Sequence, residues 1–316
     1  MEPIFLEPAY KDYIWGGTRI KYSLNKQTPY EKTAESWEVS TNPDGKSIIK
    51  NGMYKGETLY DLFEYKDVRK DIFGTKTADM DKFPLLVKFI DAESNLSVQV
   101  HPNDKYARRY ENSDGKTEMW YIMDAGENAK IICGLKDNVT SRQVEEAINF
   151  DNIEPLLNYV DVKPGDVIYI PSGTIHAILG NTLICEIQQN SNLTYRVYDW
   201  GRVGKDGKPR ELHKQKAIDV IDCSLKPQIK NTDNLESNSN IISSDYFKTD
   251  KIITKGLENY ISNVETFYIM NVVKGFGKLI VGNKEYEIKY GDSFIIPATL
   301  GEFQLQGNME LLKSYI

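Results

Sequence analysis

Gln99 and His101 stand two residues apart in Ser97-Val98-Gln99-Val100-His101-Pro102. On an extended strand that spacing turns both side chains to one face. An imidazole is a good ligand for a first-row metal and a carboxamide oxygen is a weaker, neutral one, so the pair offers half of a metal site. Taken alone, the two residues more readily describe a hydrogen-bonded polar pair at a strand end. Glu118 and His176 supply the other half. Glu118 lies near the start of a strand-like run, Lys116 to Met123, and as an antiparallel partner of the Gln99 strand it would stand beside His101. Two imidazoles, a carboxylate and an amide oxygen suit zinc and would also accept iron, manganese or cobalt. Such a centre polarises a carbonyl or hydroxyl oxygen of a substrate. His213 falls outside this spacing and reads as a surface or structural histidine.

The elements that must position these residues are mostly strands. Pro84 to Ala92 is an apolar run interrupted by Lys88; the lysine either snorkels out at a sheet edge or serves the site. Apolar spacings of three and four predict helix over 57–73, Asn103 caps a helix over about 103–111, and 140–158 reads as an inserted helical piece with a break at 149–152. Glu35 to Ser40 alternates as a strand, and Trp15-Gly16-Gly17 reads as a tight turn. Residues 182–200 read as one long strand. Gly165, five residues, Pro171, one residue, Gly173, two residues and His176 form a joint spacing. It resembles the second signature of the cupin jelly rolls, in which the histidine points into the barrel. Gly180 stands where that pattern usually has asparagine, with Asn181 one residue later.

A polar stretch, 225–245, separates this region from a degenerate second copy. Glu265 to Asn271 echoes Glu118 to Asp124, and Gly291-Asp292 with Pro297 repeats the spacing of Gly165 to Pro171. Glu302 falls where His176 would be, Thr299 replaces Gly173, and Tyr246 and Lys248 stand for Gln99 and His101. The expected architecture is mainly β: two cupin jelly-roll barrels, a catalytic one over 1–228 with helical insertions and a degenerate one over 229–316 without a metal site.

Composition narrows the class of function. A net charge of -7 without basic blocks argues against a nucleic-acid surface. No apolar run reaches the roughly 18 residues of a membrane span, and Met1-Glu2-Pro3-Ile4 has no secretory pattern, so the cytoplasm is expected. Cys133, Cys185 and Cys223 are far apart and suit reduced core residues better than a disulfide framework or a thiolate zinc site.

Over nearly its whole length the chain resembles the type I phosphomannose isomerases, particularly the shorter bacterial form. The resemblance rests on Trp15-Gly16-Gly17, Glu35-Ser36-Trp37, the Lys88 strand, Ser97 to Pro102, Lys116 to Trp120, Gly173 to Ala177 and the Arg196 segment. It implies reversible isomerisation of mannose 6-phosphate and fructose 6-phosphate, with one zinc ion on Gln99, His101, Glu118 and His176. It further implies that Arg196 is an active-site cation and that Lys88, Ser97 and Lys116 contact substrate or its phosphate. Asn192, where the family commonly has aspartate, is expected to contact substrate as an amide, which cannot shuttle a proton as a carboxylate would.

Aldose-ketose isomerisation moves a proton between C1 and C2 through a cis-enediol, and the candidate carriers are a water on the metal, Lys116, Glu186 and a histidine free of the metal. The partner expected is a hexose phosphate, with no nucleic acid or membrane, on a monomer or weak homodimer. Two other readings compete: a non-catalytic cupin sugar-binding or regulatory protein, and an iron-dependent oxygenase, which leaves the lysines and Arg196 unexplained.

Overall fold

The strand Leu85–Ala92 is buried along its entire length, which requires a central position in a sheet covered on both faces. The computed structural model, which describes residues 1–204 and 207–316, places it there. It lies in a seven-stranded antiparallel sheet, in the order Gln228–Asn231, Asp166–Ile170, Glu118–Ala125, Thr182–Gln189, Leu85–Ala92, Glu35–Val39 and Ala9–Lys11. Lys88 therefore sits mid-sheet and is 4% exposed, which removes the edge-snorkelling alternative.

A second sheet of five strands faces the first, in the order Tyr195–Tyr198, Val98–Val100, His176–Ile178, Lys130–Leu135 and Leu157–Asp161. Ile90, Trp120, Ile122 and Ile184 of the larger sheet share a buried apolar cluster with Ile131, Cys133 and Ile178 of the smaller one. A third sheet of eight strands holds the C-terminal segment, built on three long strands, Lys248–Ile261, Tyr268–Val281 and Glu302–Tyr315. The chain is thus mainly β, and each sheet runs from edge to edge without closing on itself.

Helices stand where the apolar spacing predicts them, and their starts are chemically explicit. Thr58 and Asp61 form a capping box ahead of Leu59–Glu64, and Lys66–Phe73 follows directly. The Asn103 side chain accepts the Tyr106 N–H to open Asp104–Tyr110. Thr140 and Gln143 form a second box at Ser141–Asn149. Beyond that helix the expected helical piece reduces to a short turn, Glu154–Leu156, before the strand Leu157–Asp161 begins.

Two further readings change. Residues 182–200 are two strands in different sheets, because Asn190 and Ser191 leave the ladder. The Asn190 amide donates to Thr41 Oγ1 and the Phe83 carbonyl, and the Ser191 hydroxyl donates to the Asp114 carbonyl. The polar stretch 225–245 carries two strands, Gln228–Asn231 and Ser239–Ser243, which pair as sheet edges.

The C-terminal sheet is tied to the rest in two ways. The first strand of the chain, Ile4–Glu7, pairs with Ser293–Ile296. An aromatic cluster then joins Phe63, Phe73 and Phe83 to Phe267, with the Phe83 and Phe267 centroids 5.0 Å apart. Deleting a buried phenylalanine ring from such a cluster removes its burial and leaves a cavity, costing ~3–5 kcal/mol. Phe267→Ala is therefore expected to lower the unfolding free energy measured in urea by that amount, with a lower midpoint, without changing the metal content. A midpoint equal to the parent's would show that the cluster does not hold the two parts together.

Candidate metal centre and active site

Strand register assembles the site from two facing rows. Residues directly opposite on neighbouring antiparallel strands present their side chains on the same face. In the larger sheet, Trp37 opposes Lys88, Lys88 opposes Glu186, and Glu186 opposes Trp120. In the smaller sheet, Arg196 opposes Gln99, Gln99 opposes His176, and His176 opposes Cys133. Glu118 is two residues before Trp120 and Glu35 two before Trp37, so both share the larger sheet's inward face.

Glu118 reaches His101 across the gap between the sheets. Its strand pairs with Asp166–Ile170 and Thr182–Gln189, not with Val98–Val100 as the sequence suggested. The Glu118 carboxylate is fully buried, with His101 Nε2 3.5 Å from Oε2 and His176 Nε2 3.4 Å from Oε1. His101 Nδ1 lies 2.8 Å from the Leu193 carbonyl oxygen and His176 Nδ1 2.8 Å from that of Thr174. A carbonyl oxygen only accepts, so Nδ1 carries the proton in both rings and Nε2 keeps its lone pair. Burial, then the neighbouring Lys116 and His176, hold His101 well below the usual imidazole range. Burial brings His176 down to about 4. Both rings are neutral near neutral pH.

The donor set fits a metal ion. His101, Glu118 and His176 each offer a ligand atom, all within 4.8 Å of one another. Both Glu118 oxygens are buried; Oε1 has no hydrogen-bond partner, and Oε2 meets the Lys116 ammonium. Tetrahedral bonds of about 2.1 Å to zinc put neighbouring ligand atoms about 3.4 Å apart, which the two histidine–carboxylate separations match. Gln99 Nε2 lies 3.3 Å from His176 Nε2. Turned end for end, its amide presents Oε1 at the same place.

Charged groups crowd against this set. Lys116 Nζ is 2.5 Å from Glu118 Oε2, 3.2 Å from His101 Nε2 and 3.8 Å from Glu186 Oε1. Glu186 Oε1 also meets Lys88 Nζ at 3.3 Å, and its Oε2 accepts the Trp120 indole N–H. Burial and the Glu186 charge, opposed by Lys116, push the Glu118 carboxyl up to about 7. Burial acts on Glu186 in the same direction, but the Lys116 and Lys88 ammoniums overcome it and hold that carboxyl below its ordinary value. Lys88 loses by burial and gains more from Glu35, Glu186 and Glu118, so it stays protonated. Its ammonium also lies 4.9 Å over the Trp37 ring, whose N–H is held by Glu35.

Arg196 is half-buried at the Gln99 end of its row. One Nη1 bond fixes it to the Glu211 carbonyl, while its buried Nε has no partner. Burial and the neighbouring Arg210 lower its pKa from the ordinary value. Ser97 is buried, two residues before Gln99 on the same extended segment. Asn192 stands apart: it is exposed and donates to Asp44 Oδ2 at 3.0 Å. The structure thus gathers Lys88, Gln99, His101, Lys116, Glu118, His176 and Glu186 into one cluster, with Arg196 beside it and Asn192 on an outer loop.

Glu35, Trp37 and Trp120 also wall this cluster, although the sequence reading assigned them no role. The alternation of Glu35 and Trp37 was visible, but their register against Lys88 was not.

The arrangement defines a β-sheet protein with a candidate metal centre between two facing sheets, lined by buried lysine–glutamate pairs. Residues 4–137 match the family model of the phosphomannose isomerase type I catalytic domain, and residues 237–316 that of the mannose-6-phosphate isomerase cupin domain. The chain is 40% identical to the mannose-6-phosphate isomerase ManA of Bacillus subtilis over 100% of its own length and 99% of the relative's. A crystal structure of the mannose 6-phosphate isomerase from Bacillus subtilis superposes with a TM-score of 0.92 at 37% identity, covering 100% of both chains. A mannose 6-phosphate isomerase bound with zinc and yttrium shares the fold at 17% identity, with a TM-score of 0.79 over 100% of this chain and 99% of that one. The chain belongs to the type I mannose-6-phosphate isomerase family.

Removing the carboxylate between the two imidazoles leaves two neutral nitrogens and a weak amide donor, too little to hold a dication well. Glu118→Ala is therefore expected to bring bound metal down to background in metal analysis of the purified protein. Metal retained at the parent's level would take Glu118 out of the ligand set.

Proposed function

We propose that the chain interconverts mannose 6-phosphate and fructose 6-phosphate, with one zinc ion held by Gln99, His101, Glu118 and His176. The observation that carries this reading is the buried Glu118 carboxylate, faced by two neutral Nε2 atoms and with its Oε1 left without a donor, set directly against the Lys116–Glu186–Lys88 chain of charges. Bound there, the metal supplies a positive centre that polarises the sugar oxygens at C1 and C2.

The chain's own groups account for the remaining needs. In the open-chain sugar, a base takes the proton from C2 and returns it to C1, while a hydroxyl proton passes from O2 to O1; the carbonyl thereby moves from C1 to C2. Lys116, whose Nζ stands between the histidine–carboxylate set and Glu186, is assigned the carbon-to-carbon proton transfer as the free amine, a form that a dication on Glu118 beside it would favour. Glu186, held ionised and fixed by the Trp120 N–H, is the counter-charge of the ammonium that forms when the amine takes the proton. The enediol's developing negative oxygen needs a cation, and Arg196, with a free buried Nε opposite Gln99, meets that need. Lys88 and Ser97 are assigned to substrate binding. Asn192, on its outer loop, is assigned to the far end of the sugar phosphate. Phosphate does not react, so contacts to it hold the carbon chain in place.

Two finer structural points belong to the same reading. The two facing sheets correspond to one jelly roll and the C-terminal sheet to a second, with the boundary after Asn231, whose strand still pairs in the larger facing sheet, and the metal in the first. Three free cysteines and a phosphorylated substrate suit the cytoplasm.

A coupled assay of mannose 6-phosphate conversion, run before chelation, after it and with zinc restored, tests the function. Activity lost and then recovered is expected, and no turnover in any metal state would overturn the reading. Arg196→Ala is expected to keep its zinc while kcat falls about 100-fold or more, the scale of one lost transition-state donor. Unchanged kcat would remove Arg196 from the chemistry.

A further inference from the structure

Lys116 lies outside the regular strand: the helix Asp104–Tyr110 ends six residues before it and Glu118–Ala125 begins two residues after. A flexible lysine on a loop is poorly placed for proton transfer unless the backbone beneath it is held. Here both flanking amides are held by side chains. The Gly115 N–H donates to Asp104 Oδ1 at 2.8 Å, and the Thr117 N–H donates to Gln189 Oε1 at 2.8 Å. The two acceptors are themselves joined, since Gln189 Nε2 donates to Asp104 Oδ1 at 3.1 Å. The Lys116 N–H donates to the Pro102 carbonyl, directly after His101. Gly115 lies so close to this segment that a Cβ there would fall 2.5 Å from the Asp104 amide nitrogen and 2.6 Å from the Asn103 carbonyl carbon. The loop is thus pressed against the segment that carries His101.

Asp104 has a further partner from the other end of the chain. Tyr246, just before the first long C-terminal strand, donates its hydroxyl to Asp104 Oδ2 at 3.2 Å. Arg108 forms a looser ion pair with the same oxygen at 3.7 Å. An aspartate in the first turn of a helix is usually explained by the helix dipole alone. This one spends Oδ1 on the loop glycine and on Gln189, which is 8% exposed. Neither Asp104 nor Gln189 touches the metal-ligand set.

We propose that Asp104 and Gln189 are positioning residues for Lys116, clamping the amides on either side of it so that its Nζ is held between His101, Glu118 and Glu186. The proposal rests on the proton-transfer role given to Lys116 above. It predicts a loss in the chemical step rather than in substrate or metal binding, because a catalytic group displaced by about 1 Å costs on the order of 100-fold in rate.

The test uses the full-length, zinc-loaded protein and five variants: Asp104→Ala, Asp104→Asn, Gln189→Leu, Tyr246→Phe and Lys116→Met. Each is read for kcat, KM, bound zinc and thermal midpoint. Asp104→Ala and Gln189→Leu are expected to lower kcat about 10- to 100-fold, with KM within about threefold and zinc unchanged. Asp104→Asn keeps an oxygen that accepts from Gly115 and Gln189, so it is expected to restore kcat to within about threefold of the parent. Tyr246→Phe leaves both amide clamps in place and is expected to stay within about threefold as well. If Asp104→Ala fails to fold, Gln189→Leu carries the same test. The proposal is overturned if both clamp variants turn over at the parent's kcat while Lys116→Met is inactive, if their losses lie in KM or in bound zinc, or if Asp104→Asn is as impaired as Asp104→Ala. An active Lys116→Met would instead overturn the role given to Lys116, and the clamp with it.

Discussion

The constraint on which the structure turns is the burial of like charges at one place. Glu118 and Glu186 share a dry gap between two sheets, with Glu35 at its margin, and Lys88 and Lys116 stand among them. Removing such groups from water is costly unless each meets opposite charge or a donor. Glu186 meets two ammoniums and an indole N–H and remains ionised. Glu118 meets one ammonium and two rings that cannot donate from Nε2, and its carboxyl is pushed up to about 7. A dication at that position would meet a group that the protein leaves under-compensated. The affinity of the centre and the strain of burying it are thus two aspects of one arrangement.

That arrangement depends on strand register more than on any local motif. Shifting a strand by one residue would turn Lys88 or Glu186 to the opposite face. The register is guarded on both sides of the sheet. Outward-facing Phe89, Val87, Met119, Cys185 and Ile187 are buried in an apolar cluster shared with Phe267, Ile269 and Leu312 of the C-terminal segment. The C-terminal sheet therefore acts on the site without touching it: it covers the back of the sheet whose front carries the charges. The first strand of the chain, paired into that C-terminal sheet, draws the two ends of the sequence into the same cover.

Much of the metal set was legible in sequence because its signal is local. The two-residue period of Gln99 and His101, and the joint spacing that ends in His176, survive into the structure as strand faces and turns. The helix starts were legible for the same reason, since Asn103 and its capping bond lie three residues apart. The nearness of Glu118 to His101 was anticipated, but the route to it was not. An alternating pattern tells which face a side chain takes and not which strand lies opposite, so a partner across the gap looks the same as a partner in the ladder. The break at Asn190 and Ser191 was hidden because it is made by bonds to Thr41, Phe83 and Asp114, all distant in sequence. Asp104 and Gln189 were hidden likewise: one reads as a helix-start aspartate and the other as one more residue of a strand.

Burial grades outward along the site in a way that matches the proposed substrate. Glu118 and His176 are fully buried, Lys88, Lys116 and Glu186 nearly so, Arg196 is half-buried, and Asn192 is exposed. A hexose phosphate reacts at C1 and C2 and carries its charge at the opposite end of a six-carbon chain. The reacting end needs low dielectric, where fixed charges act strongly on a developing enediol oxygen. The phosphate is better left near water, because stripping a dianion of its hydration would consume the binding energy that should position the carbons. A depth profile with the proton-transfer groups innermost, Arg196 half-buried beside them and Asn192 exposed toward the far end provides for both. A site built only to hold the sugar would have no need to bury two lysine–glutamate pairs beside its metal ligands.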